Sequence, residues 1–438
     1  MIKQDNKTNV LYISIDACRP DFIMESDKLG LKLPNLHKYF VRNGTYASKG
    51  VKGVFPTFTY PSHFSMITGT NPATHGVYNN TYFDPEGKLN GAWYWYANEK
   101  EIPTLWDVAH EHGYLTANVG WSTSIGAKID YDIPQVWLTS TPFDSKFING
   151  FSRPQGIVYE MENEIGHYSG YKWDITGDAD RAKAALWMLE KKIRPQISQK
   201  PFFMTVYFAS YDDIAHNNGS ISDISKTALE EIDKHVGELV KKAHEITNDN
   251  IVVCVVSDHG MMDNIASIRP NTEFNKAGLI KTDENGKLKE WDVFMQRSGG
   301  VGQIKLKDPN NKEIRCKVES IINKLKENPS SGVLEVLTRD ECIRKEKGFA
   351  DADYVIVSKG GYELREDILG DYLTDELSNI AQHGYSKTFQ EMRAIFLIEG
   401  LNIKKNNDIG ETELINYAPI LAKIMGFDLS NAEGKNIL

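Results

Sequence analysis

The chain has 438 residues, 41% hydrophobic and 25% charged, a composition that suits one large α/β domain with a smaller insert, or two domains. Its net charge of −10, with no basic block, excludes nucleic-acid backbone binding as the main role, although a phosphate substrate stays compatible where metal ions dominate the local field. Four cysteines without a CxxC pair (Cys18, Cys254, Cys316, Cys342), a polar start (MIKQDNKTN) and no apolar run near the ~20 residues that span a bilayer lead us to expect reduced thiols, a cytoplasmic location and no membrane partner.

Residues 10–15 (VLYISI) have the pattern of a strand buried on both faces, and they lead into Asp16. In 59–69 (TYPSHFSMITG), Pro61 near a first turn and Gly69 at the end predict a short apolar helix with Thr59 at its N-terminus. Thr57 competes locally for the same role. Residues 104–112 predict a helix stopped by Gly113, and 115–119 a strand. A long helix at 178–192 precedes a second buried strand at 202–208 (FFMTVYF). The clearest helix covers 224–246, where Leu229, Ile232, Val236, Leu239, Val240 and Ala243 recur at spacings of three and four. Residues 251–256 (IVVCVV) form a third buried strand, followed by Asp258 and His259.

From about 270 to 380 the texture changes to a more charged sequence with shorter strands. IKLKD, a helix at 316–327, VLEVL and YVIVSK read as a small α/β insert. His383 comes next, then a core strand, RAIFLIEG. The expected fold is α/β: a large, mainly parallel sheet covered by helices on both faces (residues 1–269 and 381–438), interrupted by a cap at 270–380.

Ligands of open α/β sheets bind beyond the carboxyl ends of the strands. Asp16, Asp212 and Asp258 are all delivered to such ends. Asp212 and His216, four apart, share one helical face, with Asp213 as an alternative in the same turn. With His259, His383 and Thr59 the count reaches three carboxylates, three imidazoles and one hydroxyl, the inventory of a two-metal site with a built-in nucleophile. Thr59 at a helix N-terminus beside a dication can ionise near neutral pH. Two divalent ions against three aspartates leave one positive charge to stabilise an alkoxide or a phosphoryl transition state. The carboxylate–imidazole mixture suits Zn²⁺, with Mn²⁺ the other ion considered.

The order D…TYPSH…HGVYNN…D-x-x-x-H…SDHG…HGY resembles the nucleotide pyrophosphatase/phosphodiesterase (type I phosphodiesterase) family of the alkaline phosphatase superfamily, from residue 10 to about 400. The resemblance implies an alkaline phosphatase-like core with two zinc ions. Asp16, Thr59, Asp258 and His259 would surround one ion, and Asp212, His216 and His383 the other. Thr59 would be the nucleophile. Asn80 (with Asn79 beside it) would contact the phosphoryl group, and the Tyr60 backbone N–H would complete an oxyanion pocket. Tyr207 and Trp121 would line the leaving-group or base pocket. The sequence departs from the family at Ala17, usually Gly, and at Ser62, usually Asn. The implied activity is hydrolysis of phosphodiester or phosphoanhydride bonds in small nucleotide-type substrates through a threonyl-phosphoryl intermediate.

Two alternatives stand beside it. A phosphonoacetate hydrolase shares the ligand set but holds its substrate carboxylate with lysines, for which 120–128 (GWSTSIGAK) offers only Lys128. A non-catalytic metal-binding protein would use the cap as an interaction surface. The segment 80–100 and the cap are expected to shape the substrate pocket. The run Trp93–Tyr94–Trp95–Tyr96 reads as lid packing, with stacking on a substrate base as the alternative.

Overall fold

Runs of apolar residues with no polar alternation have to be covered on both faces, and three such strands carry the architecture. The structure, a computed structural model, describes residues 7–97, 101–137 and 144–438. Most of the polar start and the last residues of the 80–100 segment, both read above from sequence, lie outside the described residues. We number the strands of the large sheet β1 (Asn9–Ile15), β2 (Gly44–Tyr46), β3 (Leu115–Val119), β4 (Tyr131–Ile133), β5 (Phe202–Phe208), β6 (Ile251–Val256), β7 (Phe396–Gly400) and β8 (Asn407–Asp408). Their order is β8-β2-β7-β6-β1-β5-β3-β4. Every residue of β1, β5 and β6 is buried. Leu11, Ile13 and Ile15 pack on one layer, which contains the Asp223–Thr247 helix through Leu229, Ile232, Val236 and Leu239. Val10 and Tyr12 pack on the other, with the Thr59–Thr68, Leu105–Glu111 and Tyr417–Met425 helices.

The register brings the chemistry to one edge. β1 pairs in parallel with β5 and β6, with Ile15 level with Phe208 and Ser14 level with Val256. The segments that follow therefore emerge side by side, and the Asp16 N–H donates to the Phe208 carbonyl at 2.9 Å. β7 is antiparallel to β6, with Phe396 opposite Val256. It starts where β6 ends, so the segment before it, with His383, reaches the same edge.

The insert has its own antiparallel sheet of four strands, in the order Val293–Ser298, Val301–Leu306, Tyr354–Ser358, Val333–Thr338. One face packs on the Lys312–Glu327 helix through Val318 and Ile322. The other face, with Val301, Val355 and Phe349, packs on Phe55 and Tyr78. Those two aromatics flank the segments that carry Thr59 and Asn80, so the cap braces the site directly. Ala266–Ile268 pairs with Tyr362–Leu364 and Leu373–Thr374, which ties the start of the insert to its end. Among the described residues no helix is long and apolar enough to cross a membrane. All four cysteines are free.

Candidate active site and metal centre

The helix Thr59–Thr68 begins after extended Phe58 and ends at Gly69, whose φ of 72° needs no Cβ. Thr59 is its first residue, and Thr59 Oγ1 lies 3.3 Å from His259 Nε2. Thr57 is removed from competition because its hydroxyl donates to the Tyr385 carbonyl at 2.9 Å. The adjacent asparagines separate in the same way. Asn79 Nδ2 donates to the Arg297 carbonyl (2.6 Å) and to Ser298 Oγ (3.0 Å), which fastens the loop to the cap. Asn80 Oδ1 accepts the Tyr60 N–H at 3.0 Å, beside Thr59.

Asp258 Oδ1 accepts the N–H groups of Ala17 (3.2 Å) and His259 (3.0 Å). Ala17 has φ 58°, the left-handed conformation a glycine adopts freely and other residues adopt at a cost of about 1 kcal/mol. A glycine at this position would meet the same geometry without that cost. Asp16 Oδ2 accepts the Tyr207 hydroxyl. Asp212 Oδ2 lies 3.2 Å from His216 Nε2, and Asp212 Oδ1 lies 3.6 Å from His383 Nε2. Asp212 rather than Asp213 therefore faces the imidazoles. The helix that carries it, Ser210–Asn218, is held at its start by Asp178, which accepts the Ala209 and Ser210 N–H groups at 3.0 and 2.9 Å and pairs with buried Arg181.

The three imidazoles share one orientation. Nδ1 of His216 faces the Ala381 carbonyl (2.8 Å), that of His259 the Gly260 carbonyl (3.0 Å) and that of His383 the Thr57 carbonyl (3.3 Å). A carbonyl only accepts, so each Nδ1 carries the hydrogen and each Nε2 lone pair points inward, as in metal-bound histidines. Asp16 Oδ1, Asp212 Oδ1 and Asp258 Oδ2 are buried without a hydrogen-bond partner. Ligand atoms of Asp16, Asp258 and His259 lie within 4.8 Å of one another, as do those of Asp212, His259 and His383. Three unpartnered carboxylate oxygens facing three inward lone pairs is a donor set that divalent cations fit.

The electrostatics agree. Burial, then repulsion from Asp212 and Asp258, pushes the Asp16 carboxyl well above its usual range. Burial also raises Asp212, but His216 and His383 outweigh it and bring that carboxyl to about 2. Asp258 is likewise held below the usual range against its burial, by His259 and His63. Burial, then His259, depresses His383 strongly. Three acids in one buried space favour positive charge among them.

Asp16, Thr59, Asp212, His216 and His383 floor a cavity of about 280 Å³, while Asp258 and His259 are fully buried and do not line it. Its walls contain residues that the motifs did not flag: Trp137 and Trp173 beside Trp93, and Arg297 and Glu366 from the cap. Trp93 belongs to the run read as packing; it touches Tyr60 (ring centroids 5.3 Å apart) and also lines the cavity. Trp95 does pack, against Phe151. His63, one turn after Thr59, is another omission: its Nδ1 lies 2.9 Å from the Thr59 carbonyl and 3.4 Å from Asp258 Oδ2. The i, i+4 spacing from Thr59 was the available signal. Tyr207 lines the cavity, but its hydroxyl holds Asp16. Trp121 is a correction. It is fully buried against Tyr12, His63 and Trp106 and is absent from the cavity wall. Gly120, at φ 78°, turns the chain, and the Trp121 N–H is fixed on Asn118 Oδ1, so the ring goes under the sheet. Arg19 forks onto Asp21 and donates to the Met261 carbonyl, so it does not face the cavity.

A buried cage of carboxylates and imidazoles beside a helix-terminal hydroxyl, at the carboxyl edge of a mainly parallel sheet, defines an alkaline phosphatase-like site. The model of the family "type I phosphodiesterase / nucleotide pyrophosphatase" matches residues 10–386, and the chain belongs to that family. It is similar to ectonucleotide pyrophosphatase/phosphodiesterase family member 7 of Rattus norvegicus, 21% identical over 449 residues that cover 97% of this chain and 85% of the relative. Family member 1 of Mus musculus is 26% identical over 262 residues, 57% of this chain. The match spans about a quarter of the length of the mouse, rat and human members 1. The structure of murine ectonucleotide pyrophosphatase/phosphodiesterase 5 superposes with a TM-score of 0.66 at 19% identity, covering 98% of this chain and 97% of that one. A structure of an inactive threonine-to-alanine variant of that murine protein, in complex with AMP, superposes with the same TM-score. The fold is shared with both.

Proposed function

We propose that the protein is a metal-dependent hydrolase of phosphodiester or phosphoanhydride bonds in small nucleotide-type substrates, acting through a phosphoryl intermediate on Thr59. The observation that carries this reading is the set of unpartnered carboxylate oxygens and inward ring nitrogens beside Thr59 Oγ1. Family membership and the AMP bound by the inactive murine variant support the substrate class.

Asp16, Asp258 and His259 would hold one divalent ion beside Thr59, and Asp212, His216 and His383 a second; zinc suits the ligands best and manganese next. When bound, such ions supply positive charge that favours the Thr59 alkoxide and offsets charge on the phosphoryl group. Thr59 Oγ1 bonds to phosphorus while the bond to the leaving oxygen breaks, its electron pair departing with that oxygen; the threonine proton passes to solvent and the leaving oxygen takes one from it, departing as the alcohol or phosphate. Asn80 Nδ2 would donate to a non-bridging oxygen while Asn80 Oδ1 stays on the Tyr60 N–H, which holds the amide beside Thr59; the Tyr60 N–H itself would join the cradle once that bond is released. Water then attacks phosphorus on the opposite side, the P–Oγ1 bond breaks and Thr59 regains its proton. A neutral asparagine suits the single negative charge of a diester.

Lys128, the lysine considered for a phosphonoacetate carboxylate, pairs with Glu111 on the surface, and among the described residues no lysine lines the cavity. The test is turnover of bis-p-nitrophenyl phosphate, the p-nitrophenyl ester of thymidine 5′-monophosphate, p-nitrophenyl phosphate and phosphonoacetate. We expect kcat/KM for a diester to exceed that for the monoester by about tenfold or more, a difference of ~1.4 kcal/mol in transition-state binding. Preference for the monoester, or turnover of phosphonoacetate alone, refutes the proposal.

A further inference from the structure

The cap contributes Arg297, Gly299 and Glu366 to the cavity wall. Asp16, Asp212, Asp213 and Glu366 all line the cavity, whereas Arg297 is the only arginine or lysine among the described residues that does so. A substrate group that carries negative charge away from the cage meets one cation.

Arg297 is anchored on one side only. Its backbone N–H donates to Glu366 Oε1 at 2.9 Å, and its carbonyl accepts Asn79 Nδ2 at 2.6 Å. That second bond ties Arg297 to the residue next to Asn80. In the guanidinium, Nη1 donates to Ser378 Oγ at 3.1 Å and makes longer contacts to the Leu364 carbonyl (3.5 Å) and Glu363 Oε2 (3.9 Å). Glu363 is already satisfied by Ser267 Oγ, Ser378 N–H and Ser378 Oγ, so it does not claim the guanidinium fork. Among the described residues, Nε and Nη2 of Arg297 make no hydrogen bond to protein, and the side chain stays 34% exposed. A planar fork with one nitrogen anchored and the rest free is the geometry that takes a phosphate or carboxylate through paired hydrogen bonds.

We propose that the cap wall carries a second anion subsite, in which the Arg297 guanidinium takes a phosphate or carboxylate that the substrate bears beyond the phosphoryl group being transferred. This rests on the reaction proposed above. It makes the insert a selector for substrates with two anionic groups, such as nucleoside di- and triphosphates, over simple diesters. Arg297 is not among the ligand groups of the cage, so the subsite discriminates by binding rather than by chemistry.

The test pairs turnover with equilibrium binding. Arg297→Gln should lower kcat/KM for ATP at least about tenfold more than that for bis-p-nitrophenyl phosphate, and Arg297→Lys should recover part of the difference because it keeps the charge. An equal loss on both substrates, the result of an arginine that only braces the cap, overturns the proposal. Binding to the Thr59→Ala protein separates the subsite from the reaction. ADP should bind at least about tenfold more tightly than AMP, an advantage that Arg297→Gln removes. An ADP:AMP ratio that Arg297→Gln leaves untouched overturns the subsite even if turnover is as proposed. If the unsubstituted protein turns over nothing, the reaction fails while this ratio still decides the subsite. Competition by pyrophosphate and by phosphonoacetate identifies the anion: the inhibitor that Arg297→Gln weakens names the phosphate or the carboxylate, and weakening of neither overturns the proposal.

Discussion

Replacing Thr59 by alanine lowers kcat for bis-p-nitrophenyl phosphate by roughly four orders of magnitude or more, the scale seen when the nucleophile of a covalent mechanism is removed. The structure gives the substitution little else to disturb. The side chain's hydrogen-bond contact is His259 Nε2 at 3.3 Å, and the Thr59 carbonyl, which faces His63, is retained. The helix keeps its start after Phe58, and the Tyr60 N–H keeps its place beside Asn80. Thermal stability should therefore shift by less than about 1 kcal/mol, within the range of a small substitution that leaves no buried group unpaired. Thr59→Ser restores the hydroxyl and should recover most of the lost rate. Residual activity within tenfold of the unsubstituted protein would remove Thr59 from the chemistry and leave the cage without its nucleophile.

Exhaustive chelation should abolish diester turnover and also lower the melting temperature. The second effect follows from the buried carboxylates: Asp16, Asp212 and Asp258 each present an unpartnered oxygen to the same space. Ligands that bind only the folded state stabilise it by mass action, about 2.7 kcal/mol for each site held at a hundred times its Kd. For a chain of 438 residues, with an unfolding entropy of ~2.1 cal/mol/K per residue, two such sites correspond to a loss of about 6 °C. Re-addition of Zn²⁺ should restore both quantities, and Mg²⁺, which suits oxygen-only sites, should restore less. A melting temperature and a rate indifferent to chelator would contradict a metal centre.

Much of this site was legible because its parts sit in short segments with local rules. A buried strand that ends at an acid locates Asp16 and Asp258 at the sheet edge, and a Pro-first, Gly-last helix locates Thr59. The choices between neighbours were not legible, because Thr57 against Thr59, Asn79 against Asn80 and Asp212 against Asp213 are decided by partners far away in the chain. Thr57 is engaged by Tyr385, Asn79 by Arg297, and Asp212 faces His383. The direction of β7 was not legible either, since an apolar run reads alike in a parallel or an antiparallel setting. The cavity walls carry no local signature at all. Arg297 and Glu366 come from the insert, and Trp137 and Trp173 meet at a centroid separation of 3.5 Å from different stretches. Trp121 shows the opposite error: the family resemblance implied a pocket position, but a turn at Gly120 sends its ring into the core.

The claim on which all else rests is that Asp16, Asp258 and His259 hold one ion beside Thr59 and Asp212, His216 and His383 another. Diffraction from zinc-loaded crystals on either side of the zinc absorption edge tests it most directly. Two anomalous peaks roughly 4 Å apart, one in each cluster and flanking Thr59 Oγ1, are the expected result. Peaks elsewhere on the molecule, or none in the cage of a zinc-saturated protein, would contradict it.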